Sequence, residues 1–152
     1  MTPNEIPQRG RLVGIDFGSK RIGLAISDNG QSIAGLGTTT SGSGSGTECA
    51  GKVAKWAAAQ DAVGFIVGLP LNMDGSDSAQ TIVTRAFAEQ MRRVGKLPVS
   101  LFDERLSTFA ADEMMQQAGV PIGKRRELRD AFAAQVILQS FLDQRTRENE
   151  TC

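Results

Sequence analysis

Apolar residues along this chain gather into short runs early and into longer periodic stretches later, and the change of period marks out the elements. Residues 11–16 (RLVGID) and 21–27 (RIGLAIS) are brief apolar runs around a Gly-Ser-Lys connection, which predicts a β-hairpin. A weaker run at 31–37 predicts a third strand. It precedes TTTSGSGSGT, a Ser/Gly-rich stretch that reads as a flexible loop and not as a link between domains. Thr47 is placed to cap a helix running to about Gln60. The continuously apolar VGFIVGL at 63–69 predicts a strand covered on both faces. After the loop PLNMDGSDS, Asp77 and Gln80 form a predicted capping box for a helix through about Val94, and PVSLFD at 98–103 predicts another strand. Ser107 or Thr108 opens a predicted helix FAADEMMQQ, closed by Gly119 with Pro121 beyond. A final helix from about Glu127 to Arg145 carries Leu128, Phe132, Val136, Leu138 and Leu142 on its apolar face. Three leading strands followed by alternating helices and strands indicate an α/β domain with a mixed sheet, whose strand order the pattern does not contain.

Composition narrows the chemistry more than the fold. A chain of 152 residues that is 40% hydrophobic and 22% charged is read as one globular domain over residues 10–145, with a disordered tail at 1–9 and a C-terminal tail at 146–152. No apolar run approaches the ~18 residues of a membrane span, and MTPNEIPQRG lacks the layout of a secretory signal. Cys49 and Cys152 make no disulfide framework and have no partners at metal-ligand spacing, which points to a reducing cytoplasm. The chain has no histidine and no tyrosine, so Ser-His-Asp, Cys-His and His-ligated zinc mechanisms are excluded. Asp, Glu, Lys and water must carry any acid-base or metal chemistry. The net charge of zero is uninformative, but positive charge gathers at Lys20-Arg21, at Arg92-Arg93-Lys96 and at Lys124-Arg125-Arg126 with Arg129. Such clusters can contact phosphates, although most short basic runs are simply solvated surface.

Three carboxylate positions stand out. Asp16 ends the first strand two residues before Gly18; there it either holds a metal ion close to a phosphate or starts a turn through its own backbone. Asp103 and Glu104 follow the 98–103 strand on opposite faces, so one of them points into a site, or both flank a helix start where negative charge is favourable. Asp130 shares a helical stripe with Ala134, Ile137 and Phe141. A carboxylate on such a stripe costs on the order of several kcal/mol unless it is paired or bound to a metal. The rival is an exposed cap of a helix beginning at Asp130, but Ala133 leaves the reciprocal half of a capping box missing. Carboxylates from two strand ends and a helix suit Mg²⁺ or Mn²⁺, which prefer oxygen ligands and need no histidine. Two such ions can activate water in phosphodiester hydrolysis.

Four blocks, GIDFGSKRIGLAISD, VGLPLNMDGSDS, DERLST and DAFAAQVILQSFLD, occur here in the order that resembles the YqgF family, also called RuvX, over residues 10 to about 145. Its members are described as Holliday-junction resolvases and as pre-16S rRNA nucleases. The resemblance implies an RNase H-like fold, a five-stranded mixed sheet whose first three strands are antiparallel, flanked by helices. It also implies a nuclease using Mg²⁺ or Mn²⁺ at Asp16, Glu104 and Asp130, with Asp130 opening the final helix and Asp16 bridging the ions. The basic side chains then expected on nucleic acid are Lys20, Arg21, Arg105, Lys124, Arg125 and Arg126. The expected substrate is structured nucleic acid, foremost the 16S rRNA precursor in ribosome biogenesis, with the ribosome as a further partner. The alternative is a four-way DNA junction, which requires a symmetric dimer, whereas rRNA processing requires one active site, so a monomer and a homodimer both stay open.

An actin-like or sugar-kinase ATPase shares this core and a DxG loop, but needs a second copy of the core and an adenosine motif for which 152 residues leave no room. A non-catalytic RNA- or ribosome-binding module has no reason to gather carboxylates against a phosphate backbone. The VGLPLNMDG loop either offers backbone N–H groups to phosphate or is a structural turn. The Ser/Gly-rich stretch 40–46 is looser than a compact connection needs and reads as a tolerated insertion in preference to a flap over substrate.

Overall fold

The computed structural model describes residues 5–106 and 115–150. Five strands, β1 (Arg11–Phe17), β2 (Arg21–Ser27), β3 (Ala34–Ser41), β4 (Ala62–Leu69) and β5 (Val99–Asp103), form one sheet in the order β3-β2-β1-β4-β5. The first three pair antiparallel, and β1–β4 and β4–β5 pair parallel. This is the mixed sheet that the resemblance implies. Helices α1 (Gly46–Ala59) and α2 (Ala79–Gly95) cover one face, and α3 (Ile122–Glu150) covers the other.

Side-chain alternation produces the two layers. Val13 and Ile15 of β1, Ile22 and Leu24 of β2, and Phe65 and Val67 of β4 pack under α1 and α2, against Val53, Phe87 and Met91. Leu12, Ala25 and Ile66 point the other way, against Ala134, Ile137, Leu138 and Leu142 of α3. The α3 face of the sheet is kept bare at Gly14, Gly23 and Gly68, and the helix comes down onto it. A Cβ at Gly14 would lie 2.7 Å from Leu138 Cβ, and one at Gly68 would lie 2.5 Å from Ile137 Cδ1.

Several expected boundaries move, each for a local reason. The third strand begins at Ala34 instead of 31 because the Asp28 carboxylate accepts the Ser32 and Ile33 N–H groups in a turn, while Gln31 takes a positive φ of 57°. Gln135 and Gln139 of α3 then clasp Ala34 through its carbonyl and N–H. Thr38–Ser41 belong to β3, paired with β2 through Arg21↔Ser41, so the supposed flexible loop shrinks to a short connection tied by Gly42 N–H to Lys20 O at 2.9 Å. Ser45, not Thr47, caps α1 by accepting the Glu48 N–H. Likewise Ser78 and Thr81, not Asp77 and Gln80, form the capping box of α2, because Asp77 is held by both arms of the Arg85 guanidinium. Ser78→Ala is expected to cost about 1 kcal/mol and to lower the midpoint of thermal unfolding by about 3 °C, read by circular dichroism.

The predicted caps Ser107 and Thr108 and most of the FAADEMMQQ helix lie outside the described residues. Residues 115–117 are helical and are closed at Gly119, φ +73°, by Val120 N–H to Met115 O. The last helix starts at Ile122, ahead of Glu127, and runs on through Glu150, so residues 146–150 continue it and do not form a tail. Part of the N-terminal segment is also tied down: Ile6 and Pro7 carbonyls accept from the Arg145 guanidinium.

Candidate active site

The C-terminal ends of β1 and β5 and the third turn of α3 bring the expected acids to one face. Asp16 follows Leu12 and Gly14 on the α3 side of β1, and its partner across the hairpin is Gly23. A Cβ at Gly23 would sit 1.9 Å from the Asp130 carbonyl oxygen and 2.8 Å from Ala131 N, so the backbone of α3 rests directly on this glycine. That seating places Asp130 beside Asp16. Glu104 follows Phe102 on the same face, where its carboxylate lies over Gly68: a Cβ there would meet Glu104 Oε1 at 2.6 Å. Asp103 points to the opposite face and is held by Arg105, with Nη2–Oδ2 at 2.6 Å and Nε–Oδ2 at 2.9 Å.

Asp16 and Glu104 share a side-chain hydrogen bond. Burial, then the charge of Glu104, that shared bond and the charge of Asp130 push the Asp16 carboxyl up to about 8. Burial also raises Glu104, as does the charge of Asp103, while the bond from Asp16 acts in the other direction. Two partly buried carboxylates this close are at rest only with a proton or a cation between them. Asp130 is within electrostatic reach of Asp16, but its carboxylate accepts from Arg21 Nε at 3.2 Å. Among the described residues no three acidic or cysteine side chains form a ready-made cation cage. The acids are gathered, and Arg21 holds the third aside.

The exposed-cap reading of Asp130 is overturned, and so is the expectation that it opens the helix. It lies two turns inside α3, above the buried Ala134 and Ile137. Of the expected nucleic-acid contacts, Lys20 is exposed at the β1–β2 turn and Arg21 follows it onto Asp130. Arg105 holds Asp103 and the Met73 carbonyl, tying loop 70–78 to the end of β5. Lys124 is exposed, Arg125 donates to Val120 O at 3.1 Å, and the side chain of Arg126 lies outside the described residues. In loop 70–78 the N–H groups of Asn72, Gly75 and Ser76 bond within the loop and that of Leu71 bonds back to Leu69 O of β4, which is the structural-turn reading. Gly18 serves its own hairpin: a Cβ there would lie 2.5 Å from Arg21 O. The residues missed by sequence reasoning are Gly23 and Gly68. Their signal was present, since glycine inside an apolar strand marks a close backbone approach.

A five-stranded sheet of this order, with its first three strands antiparallel and helices on both faces, is an RNase H-like fold. Solved structures of the same fold include Thermus thermophilus RuvC with a Holliday junction substrate, at a TM-score of 0.56 and 15% identity, covering 90% of this chain and 96% of that one. The chain belongs to the RuvX family, described as Holliday junction resolvase, whose model matches residues 10–144. Its relatives include proteins named "Putative pre-16S rRNA nuclease". The one from Sphingopyxis alaskensis is 46% identical over 142 residues, 93% of this chain and 92% of that protein. The one from Rhodopseudomonas palustris strain BisB5 is 44% identical over 137 residues, 90% and 85% respectively. No helix among the described residues is long and apolar enough to cross a membrane.

Proposed function

We propose that this chain is a divalent-metal-dependent endonuclease that trims the 16S rRNA precursor in the cytoplasm, with Asp16, Glu104 and Asp130 as its metal-binding and catalytic residues. The observation that carries the reading is the gathering of Asp16, Glu104 and Asp130 on the α3 face, where bare Gly68 takes the Glu104 carboxylate and bare Gly23 seats the Asp130 backbone next to Asp16. The donor set is oxygen alone, as Mg²⁺ and Mn²⁺ require. When bound, such ions activate water and stabilise the leaving oxygen of a phosphodiester. The chain's own part is to orient. Gly68 and Gly23 set Glu104 and the Asp130 backbone against Asp16, and Arg21 pairs with Asp130, the residue that would complete the metal-holding set.

Lys20, Arg21, Lys124, Arg125 and Arg126 are the proposed phosphate contacts, with Arg105 holding the loop beside them. Lys124 and Arg125 sit in the first turn of α3, where positive charge opposes the helix dipole. Arg125 also serves local structure through Val120 O, whereas exposed Lys124 gains nothing from the helix dipole and suits an approaching polyanion. The names of the relatives favour ribosomal RNA over a DNA junction.

The test incubates the protein and its Asp16→Asn variant with Mn²⁺ or Mg²⁺ on a 16S precursor fragment and on a synthetic four-way DNA junction. Wild type is expected to cut the RNA in a chelator-sensitive way and the variant to cut neither. Equal cutting by both proteins means the site is wrong. Preferential cutting of the junction, by a protein that sediments as a dimer, means a resolvase. Binding without cutting of either substrate means a non-catalytic module.

A further inference from the structure

The Ser/Gly-rich segment after β3 alternates in a way the acid site does not use. In residues 41–46 the serines serve local structure: Ser41 and Ser43 bond each other at 2.6 Å, and Ser45 caps α1. The intervening Gly42, Gly44 and Gly46 line an open cavity of about 570 Å³, within the ~300–1,000 Å³ of small-ligand sites. Two of these glycines, Gly42 and Gly44, are bare by necessity. A Cβ at Gly42 would strike Gly18 O at 2.5 Å, and Gly44 has a φ of +99°. Across from it α2 contributes Val83 and Phe87, with Phe87 stacked on Phe17 at 4.1 Å between ring centroids. Ile82 and Val83 remain 61% and 50% exposed there although apolar. Gln80 and Gln90 bring amides to the rim.

The cavity begins one residue past Asp16, at Phe17 and Ser19. The same turn continues through exposed Lys20 to Arg21, which reaches Asp130 on the other face. An apolar slot with amides at its rim, joined by one turn to a cation and an acid site, matches a flat base with polar edges on a phosphate chain.

We propose that this cavity receives one unstacked nucleobase of the bound strand, with Lys20 on the adjoining phosphate. The proposal rests on the nuclease reading and specifies how that site holds its substrate. Base contacts of this kind are worth about ten-fold in affinity.

Gly46→Leu fills the cavity from a position whose Cβ meets nothing nearer than Gln90 Cγ at 3.6 Å, and Val83→Gln makes the opposite wall polar from an exposed helix position. Circular dichroism and thermal unfolding establish that both variants fold. Fluorescence anisotropy in EDTA then measures binding of a labelled single-stranded oligoribonucleotide, its deoxyribonucleotide counterpart and an abasic oligomer of the same length. Wild type is expected to prefer a base-bearing strand over the abasic one by about ten-fold, and both variants to lose that preference. Preference for the ribo strand alone identifies RNA as the source of the base; preference for both identifies either nucleic acid. Unchanged preference in folded variants, or none in wild type, overturns the proposal. Cleavage by wild type with Mn²⁺ alongside such a result leaves the nuclease reading standing. Lost preference without any cleavage by wild type overturns the nuclease reading instead.

Discussion

Replacing Asp16 by Asn is expected to abolish cleavage and, at the same time, to make the metal-free protein harder to unfold at alkaline pH. The loss of activity follows from the proposed role: removing one ligand charge from the ions is expected to slow hydrolysis about a thousand-fold or more. The gain in stability follows from the cost of the charge. Folded, the Asp16 carboxyl keeps its proton until about pH 8, whereas unfolded it releases it near the ordinary value of 3.8. Below about pH 4 the group is neutral in both states and contributes nothing. Between about pH 4 and 8 only the unfolded state ionises, so stability falls as pH rises, by up to about 1.4 kcal/mol per unit. Above the folded value both states are charged and the penalty is constant.

Asn keeps the shape and a hydrogen bond to Glu104 but removes this slope, and is expected to gain about 2 kcal/mol or more at about pH 8. Urea unfolding in chelator at about pH 5 and 8 measures the effect. Added Mn²⁺ is expected to recover the wild type at the higher pH and to leave the variant unchanged, because an ion held by Asp16 and Glu104 would offset their charge where the variant has lost one of the two. A variant less stable than wild type at pH 8 would show that the carboxyl is satisfied without metal.

Gly23→Ala is expected to be the most damaging single methyl group in the sheet, at about 4 kcal/mol. The added carbon would lie 1.9 Å from the Asp130 carbonyl oxygen, and backbone cannot rotate out of the way as a side chain can. Helix α3 must lift, opening the contacts of Ala134 and Leu138 with the sheet and carrying Asp130 away from Asp16. Cleavage is therefore expected to fall with stability. Gly51→Ala in α1 is the control: a Cβ there meets nothing within 4 Å, so the better helix former is expected to add up to ~1 kcal/mol. Denaturant midpoints of the two variants should move in opposite directions. Tolerance of Ala at position 23 to within ~1 kcal/mol would mean that packing on this glycine does not hold Asp130 in place.

Much of this arrangement is legible along the chain, and the illegible parts have particular causes. Strands β1, β2, β4 and β5 follow from their apolar runs, since a buried strand needs little besides continuous apolar residues. The boundaries that moved were set by single side chains choosing among neighbours: Ser45 over Thr47, Ser78 over Asp77, and Asp28 delaying β3 to Ala34. Each competitor is a good cap in isolation. Asp77 is engaged by Arg85, eight residues on, and Ser78 takes the cap. Asp103 and Glu104 could be separated by alternation but not assigned, because which face meets α3 depends on the whole sheet. Helix α3 starts at Ile122, ahead of the expected Glu127, since its first turns are largely polar and carry no strong capping signal.

The sequence by itself determined the class of the fold and the absence of histidine chemistry, and it singled out Asp16, Glu104 and Asp130 as candidates, because periodicity and residue type are local properties. Tertiary structure alone decided that Asp16 and Glu104 come together, that Arg21 holds Asp130, and that Gly42, Gly44 and Gly46 form a cavity wall. Those facts depend on distances between residues as many as 109 positions apart, and such distances exist only once Gly23 and Gly68 let a helix settle onto the sheet.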